Sequence, residues 1–243
     1  VSAGEDPARR FFRRRWEAAQ QPVAGVWAAR RRLADAMRRV IERLTTSDAP
    51  EAELATAAAR LEDYAEHLAT HPRRDRYVGF SESALADAGQ EDSEAQGGGH
   101  FDYSPLIGRS NPLAPPIHVE ADDDGNVTAR VVFGSAYEGP PGCVHGGYVA
   151  AAFDEVLGYA ETFSGAPGMT GTLNVVYRTP TPLHTEVVFR AKITQVEGRK
   201  IFVHGTLHAG ERLCAESDAI FVSIKAGRYL ELMKERAGKR SAQ

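Results

Sequence analysis

Apolar positions recur at helical spacing early in the chain, first as Leu33, Met37, Val40, Ile41 and Leu44 and then as Leu54, Ala58, Leu61, Ala65 and Leu68. Between the two stripes, T-T-S-D-A-P supplies a stop, a cap and a restart, which predicts an antiparallel helical pair. Residues 7 to about 70 therefore read as helix, and neither stripe carries a catalytic constellation. A helical extension over 1–76 is expected, serving as a packing appendage, an oligomer contact or a partner site. Residues 77–100 are acidic, small and glycine-rich, end in Q-G-G-G-H, have no apolar period and read as a flexible linker. The aromatic and proline-rich stretch F-D-Y-S-P-L-I-G-R-S-N-P-L-A-P-P then predicts an ordered loop lying over the domain that follows.

After Ile117 the period changes from that of helix to that of strand. I-H-V-E-A and V-T-A-R-V-V-F alternate across D-D-D-G-N, a hairpin signal because Asn and Gly accept positive φ. A long apolar helix comes next, and four strand candidates follow near 171–178, 185–196, 200–209 and 212–225, the last three joined by the turns E-G-R-K and A-G-E-R. Two strands, one helix and four more antiparallel strands predict an α+β domain over 101–228 in which a sheet of about six strands wraps the helix. Residues 229–243 read as a tail, a short helix and then disorder.

Composition narrows the chemistry. With 42% hydrophobic and 26% charged residues the chain is ordinary for a globular protein, and no apolar run is long enough for a membrane span. A net charge of -4 argues against nucleic acid as the ligand, because phosphate binding needs concentrated positive charge. Arg13, Arg14 and Arg15 and Arg30, Arg31 and Arg32 form local basic clusters that suit a weak anionic contact, but the interspersed Glu and Asp favour a solvated helix face. Only two cysteines, Cys143 and Cys214, are present, which is no disulfide framework, and the N-terminal Arg-rich stretch has no signal-peptide apolar segment. A cytoplasmic location is the expectation.

Candidate chemistry concentrates in P-P-G-C-V-H-G-G-Y-V-A-A-A-F-D-E, residues 140–155. Helices tolerate Asp poorly because its short side chain competes for backbone groups, so Asp154 among Ala, Val and Phe calls for a reason. Val149, Phe153, Val156 and Ala160 form the stripe expected to bury in the sheet, whereas Gly147, Ala150, Ala151, Asp154 and Gly158 form a small-residue stripe open to close approach. Pro141 excludes regular helix upstream, so the first helical amides fall around Gly146 and Gly147, where unpaired N–H groups can hold an acyl-transfer oxyanion. Gly146 and Asp154 are eight residues apart, roughly 12 Å along one helix. Reacting atoms must approach within about 3–3.5 Å, so if both act on one carbonyl they come from different subunits.

The stretch Y-E-G-P-P-G-C-V-H-G-G, Asp154, the strand L-N-V-V-Y-R-T-P-T-P-L and the turn V-E-G-R-K together resemble hotdog-fold acyl-CoA thioesterases, in particular the phenylacetate-pathway-type branch. The resemblance covers about residues 100–225 and leaves the Arg-rich helices unexplained. It implies a hotdog fold, an acyl-CoA substrate and a homodimer or dimer of dimers; no cofactor is expected and, from the histidine spacings given below, no metal. It further implies Asp154 as general base or nucleophile, Gly146 as oxyanion donor, His145 as support for that loop, Gly147 beside the substrate, and Thr170 as a group positioning the attacking water. Arg178 and the loop Gly198, Arg199, Lys200 become candidates for the CoA phosphates.

Rival readings have their own residues. Cys143 lies two positions before His145, which invites a Cys–His nucleophile, although incidental cysteine is the commoner case. His204 and His208 fall roughly 13 Å apart in a strand, too far for one metal, and His67 with His71 finds no third ligand. A hotdog acyl-thioester dehydratase or hydratase usually places a histidine with the carboxylate, and the helix after His145 carries none. A non-catalytic acyl-CoA or protein-binding module is the alternative of another class.

Overall fold

A six-stranded antiparallel sheet curves around one apolar helix, in a computed structural model that describes residues 21–72, 101–166 and 168–223. The elements in chain order are α1 (Gly25–Thr46), α2 (Glu51–Ala69), β1 (His118–Ala121), β2 (Val127–Val132), α3 (Gly146–Glu161), β3 (Gly168–Tyr177), β4 (Glu186–Glu197), β5 (Lys200–Ala209) and β6 (Arg212–Ser223). The strands lie side by side in the order β1-β2-β4-β5-β6-β3. The expected linker over 77–100, the tail over 229–243 and the cluster Arg13–Arg15 lie outside the described residues.

Local chemistry sets the turns. In the β1–β2 hairpin, Asp122 Oδ1 accepts from the amides of Asp124 (3.0 Å) and Asn126 (2.9 Å), and Gly125 takes φ +80°. The meander β4–β5–β6 turns on Gly198 and Gly210, both at positive φ, which a side chain would strain.

Packing follows the helix stripe read from the sequence. Val149, Phe153, Val156, Leu157 and Ala160 are buried against the sheet, with the Phe153 and Phe189 rings edge to face at 5.0 Å. Full burial of each larger side chain stabilises by about 1.5–3 kcal/mol relative to exposure. Gly205 in β5 permits the close approach: a Cβ there would stand 2.8 Å from Leu157 Cδ2 and 3.1 Å from the Arg190 carbonyl.

The 101–116 segment does lie on this domain, with Phe101 and Ile107 in its core. It also receives α1. Arg31 is buried, donating to both Asp102 carboxylate oxygens at 2.9 and 2.7 Å, which corrects the reading of its cluster as a solvated face. Arg30 instead stacks over Trp27 at 5.1 Å, and Arg32 is exposed. Farther along α1, Glu42 accepts from the Ser135 and Ala136 amides at 3.1 and 3.4 Å. Burial pushes its carboxyl up, but these amides and the nearby His184 outweigh that and hold it below the ordinary range.

The expected antiparallel helical pair does not form. Every residue of α2 is exposed, including Leu54, Leu61, Tyr64 and Leu68. The chain leaves α1 through Ser47 in extended backbone (φ -89°, ψ 140°) instead of folding back on itself.

Candidate active site

The start of α3 is held by its own neighbours. His145 is the N-cap, its Nδ1 accepting from the Gly147 amide at 3.0 Å, while its own N–H donates to the Tyr137 carbonyl at 2.9 Å. Tyr137 and Tyr148 pack edge to face at 4.9 Å beside this turn. Gly147 thus commits its amide to the cap, whereas the Gly146 amide donates to no described residue. A free N–H on the first helical residue, at the positive end of the helix dipole, is a donor suited to a developing oxyanion.

Two turns farther on, Thr170 Oγ1 donates to Asp154 Oδ1 at 2.8 Å. Asp154 is half-buried and Thr170 exposed, so the pair faces outward rather than into the core. β3 runs back along the helix: its first residues meet Asp154, and near its end the Tyr177 hydroxyl donates to the Gly146 carbonyl at 2.8 Å. Within one chain, then, Asp154 and Gly146 sit at opposite ends of β3.

The cationic candidates divide in the same way. Arg178, just past β3, pairs with Glu216 of β6, with Nε 2.9 Å from Oε1. Arg199 donates from Nε to the Ser223 carbonyl at 3.0 Å, so the loop Gly198, Arg199, Lys200 lies beside the end of β6 that pairs with the start of β3. Ten residues of strand separate these two sets, roughly 30 Å.

The Cys143–His145 arrangement does not form a nucleophile and base. The Cys143 thiol donates to the Pro141 carbonyl at 3.6 Å, and the His145 Nδ1 is occupied by the Gly147 amide.

A cavity of about 230 Å³ opens beside Asp154 and Thr170, walled by Ile107, Val119, Gly158 and Phe221 and reaching Glu155 and Glu161. Neither of these two carboxyls stands out in the sequence as a candidate. Ser104 Oγ donates to Glu155 Oε1 at 3.2 Å, tying the 101–116 segment to α3. Burial pushes Glu155 up to about 7 against the lowering effect of that hydrogen bond, and the Asp154 charge adds to the rise. Glu161 is only 2% exposed, its Oε1 has no hydrogen-bond partner among the described residues, and burial raises it to about 8 although the Gly168 amide pulls the other way. One signal for it exists in the spacing: Glu161 follows Asp154 by seven residues, on the same helix face. A larger groove of about 810 Å³, between α1 and the β1–β2 side of the sheet, contains none of the candidate residues.

The thioesterase superfamily model matches residues 141–216, the span that holds the helix start, Asp154 and Thr170. An acyl-coenzyme A thioesterase THEM4 of Xenopus laevis is 34% identical over 93 residues, 37% of this chain and 42% of that protein. The THEM4 of Mus musculus is 36% identical over 89 residues, 36% of this chain and 38% of that protein. The chain therefore spans less than half the length of these relatives. The crystal structure of the thioesterase superfamily protein RHA08564 superposes with a TM-score of 0.69 at 33% identity, covering 83% of this chain and 97% of that one. A sheet of six antiparallel strands around a central helix, shared nearly end to end with that structure, is the hotdog fold, and the chain belongs to the thioesterase superfamily.

Proposed function

We propose that this protein is an acyl-CoA thioesterase that works as a homodimer, or a dimer of dimers, cleaving the thioester of a fatty or aromatic acyl-CoA to the free acid and CoA in lipid metabolism. The observation that carries the reading is the Thr170–Asp154 hydrogen bond beside an edge strand whose outer side has no neighbouring strand among the described residues. With Oδ1 engaged by Thr170, Asp154 Oδ2 is the oxygen available to the reaction. As general base it takes a proton from water while the water oxygen bonds to the thioester carbonyl carbon; as nucleophile it attacks that carbon itself. Either way the carbonyl electrons move onto oxygen, the Gly146 amide stabilises that charge, and collapse breaks the carbon–sulfur bond to release CoA.

The support for the dimer is the position of β3. Its ten residues end the sheet, and a second copy pairing antiparallel along this edge sets the Thr170 end of one strand beside the Tyr177 end of the other. Asp154 and Thr170 of one subunit then meet Gly146 of its partner, and Arg178 approaches the loop Gly198, Arg199, Lys200 of the opposite subunit, where cations can bind the CoA phosphates. His145 and Gly147 hold the helix start in place for this role. No helix among the described residues is long and apolar enough to cross a membrane. Both Cys143 and Cys214 are free thiols, which supports a reducing compartment such as the cytoplasm.

The test is hydrolysis of short, medium, long and aromatic acyl-CoAs by the wild type and by Asp154→Asn. Turnover by the wild type, lost in the variant with the fold intact, is expected. Equal turnover by both would overturn the assignment of Asp154.

A further inference from the structure

α2 is an amphipathic helix whose apolar side packs on nothing among the described residues. Leu54, Leu61 and Leu68 fall seven residues apart with Ala58 and Ala65 between them, which makes one ridge about 20 Å long. The three leucines are between 42% and 51% exposed. A continuous apolar ridge open to water marks a surface for association. The rest of the helix is acidic, with Glu51, Glu53, Glu62, Asp63 and Glu66 against one arginine, Arg60.

A groove of the opposite charge lies on the same chain. It is the one of about 810 Å³ between α1 and the β1–β2 side of the sheet, and Ile41, Pro115 and Val132 give it an apolar lining. Arg39, Arg43 and Arg130 line it too, and all three are exposed. Of its two acidic groups, Glu42 is engaged by the Ser135 and Ala136 amides, and Glu186 stands 3.5 Å from Arg130. Arg39 and Arg43, one turn apart on α1, have no ion pair among the described residues. A helix about 10–12 Å across fills a groove of this volume with about one and a half turns.

Ridge and groove do not meet within one chain. Ser47 and Pro50, at the two ends of the connection, are both extended (φ -89°, ψ 140° and φ -59°, ψ 149°), and proline at 50 disfavours helical backbone at Ala49. The connection thus carries α2 away from α1 and leaves both surfaces open. We propose that α2 of a second copy fills the groove, and that the exchange is reciprocal: each copy lends its acidic leucine ridge to the basic groove of the other across a two-fold axis. Exchange of an identical element between copies is a low-cost route to association. β1 and β2 lie at the opposite end of the sheet from β3, so this contact is separate from pairing along the β3 edge, and the two together can build a dimer of dimers. It does not depend on the catalytic reading, because the groove holds none of the candidate site residues.

The test uses the full chain and its mass by sedimentation equilibrium. Arg39→Glu with Arg43→Glu turns the groove acidic, and Glu62→Arg with Glu66→Arg turns α2 basic. Either variant alone sets like charges against each other, and its mass should be half that of the wild type at the same concentration. Mixed in equal amounts, the two should return to the wild-type mass, because each groove then meets an α2 of opposite charge. Leu61→Glu with Leu68→Glu should also halve the mass, and helical circular dichroism should be kept because both side chains are exposed. A wild type no heavier than these variants overturns the inference. Charge variants that stay apart when mixed overturn it as well, since that result is expected if α2 closes on its own α1 or meets a different protein. Hydrolysis of acyl-CoA is a separate readout, and its loss or retention leaves the mass comparison as it stands.

Discussion

Thr170 donates a 2.8 Å hydrogen bond to Asp154, joining the first residues of the edge strand to the middle of the central helix. The contact fixes one carboxylate oxygen and leaves Oδ2 for the role proposed for Asp154. Removing the donor in Thr170→Val should lower kcat roughly 10- to 100-fold with KM little changed, whereas Asp154→Asn should cost on the order of 10²–10⁴ in kcat. Steady-state kinetics on one acyl-CoA would check both, and a Thr170→Val variant as active as wild type would remove Thr170 from the site.

Gly146 permits an unusually clean test of the amide. It is the first helical residue, where proline is well tolerated, and the preceding His145 already has the extended backbone (φ -60°, ψ 130°) that proline requires of its neighbour. Gly146→Pro should keep the helix, delete the N–H and lower kcat by roughly 10²–10³.

Mixing Gly146→Pro with Asp154→Asn checks the shared site. If each site takes its Asp from one subunit and its amide from the other, mixed dimers contain one site with both defects and one with neither. Activity should therefore return on co-expression of two nearly inactive chains. Mixed dimers as inactive as their parents would place both groups in one subunit's site.

Stability should fall as pH rises. Glu155 and Glu161 are raised by burial to about 7 and about 8 from an ordinary 4.5, so the folded state holds their protons more tightly than the unfolded chain. Their contribution is fully present below pH 4.5 and is lost as pH climbs through 7 and 8. Urea unfolding across this window should show the loss, and Glu155→Gln with Glu161→Gln should flatten it.

Breaking the Arg31–Asp102 pair should be strongly destabilising. Both side chains are buried, so Arg31→Met leaves Asp102 with Ser110 but without its counter-charge, at a cost of about 3–5 kcal/mol. The double variant Arg31→Met, Asp102→Leu should recover part of this in urea unfolding, since no lone buried charge remains.

Much of the fold is legible in the sequence because it is written in local periods. The alternation over 127–133 and in the last three strands, the glycines at their turns, and the stripe Val149, Phe153, Val156, Ala160 each depend on neighbours a few residues away, and the strands and helix form where these periods indicate. Asp154 is conspicuous for the same reason: an Asp in an apolar helix is a local anomaly. The distance from Gly146 to Asp154 is local too, because the rise of a helix per residue fixes it from their spacing alone.

Other features depend on which distant segments meet, and no local period encodes that. The sequence by itself determined the elements, the helix faces and the awkward Asp154. Tertiary structure decided that β3 lies at the sheet edge with Thr170 on Asp154, that Arg31 is buried by a loop 71 residues away, and that α2 packs on nothing among the described residues. It also decided the state of Glu161, an ordinary helix-end glutamate in sequence that becomes a buried, half-unpartnered carboxyl only when β3 and the 101–116 segment close over the helix. Burial and desolvation belong to the assembled chain, because they depend on what excludes water from a group and not on the residues beside it in sequence.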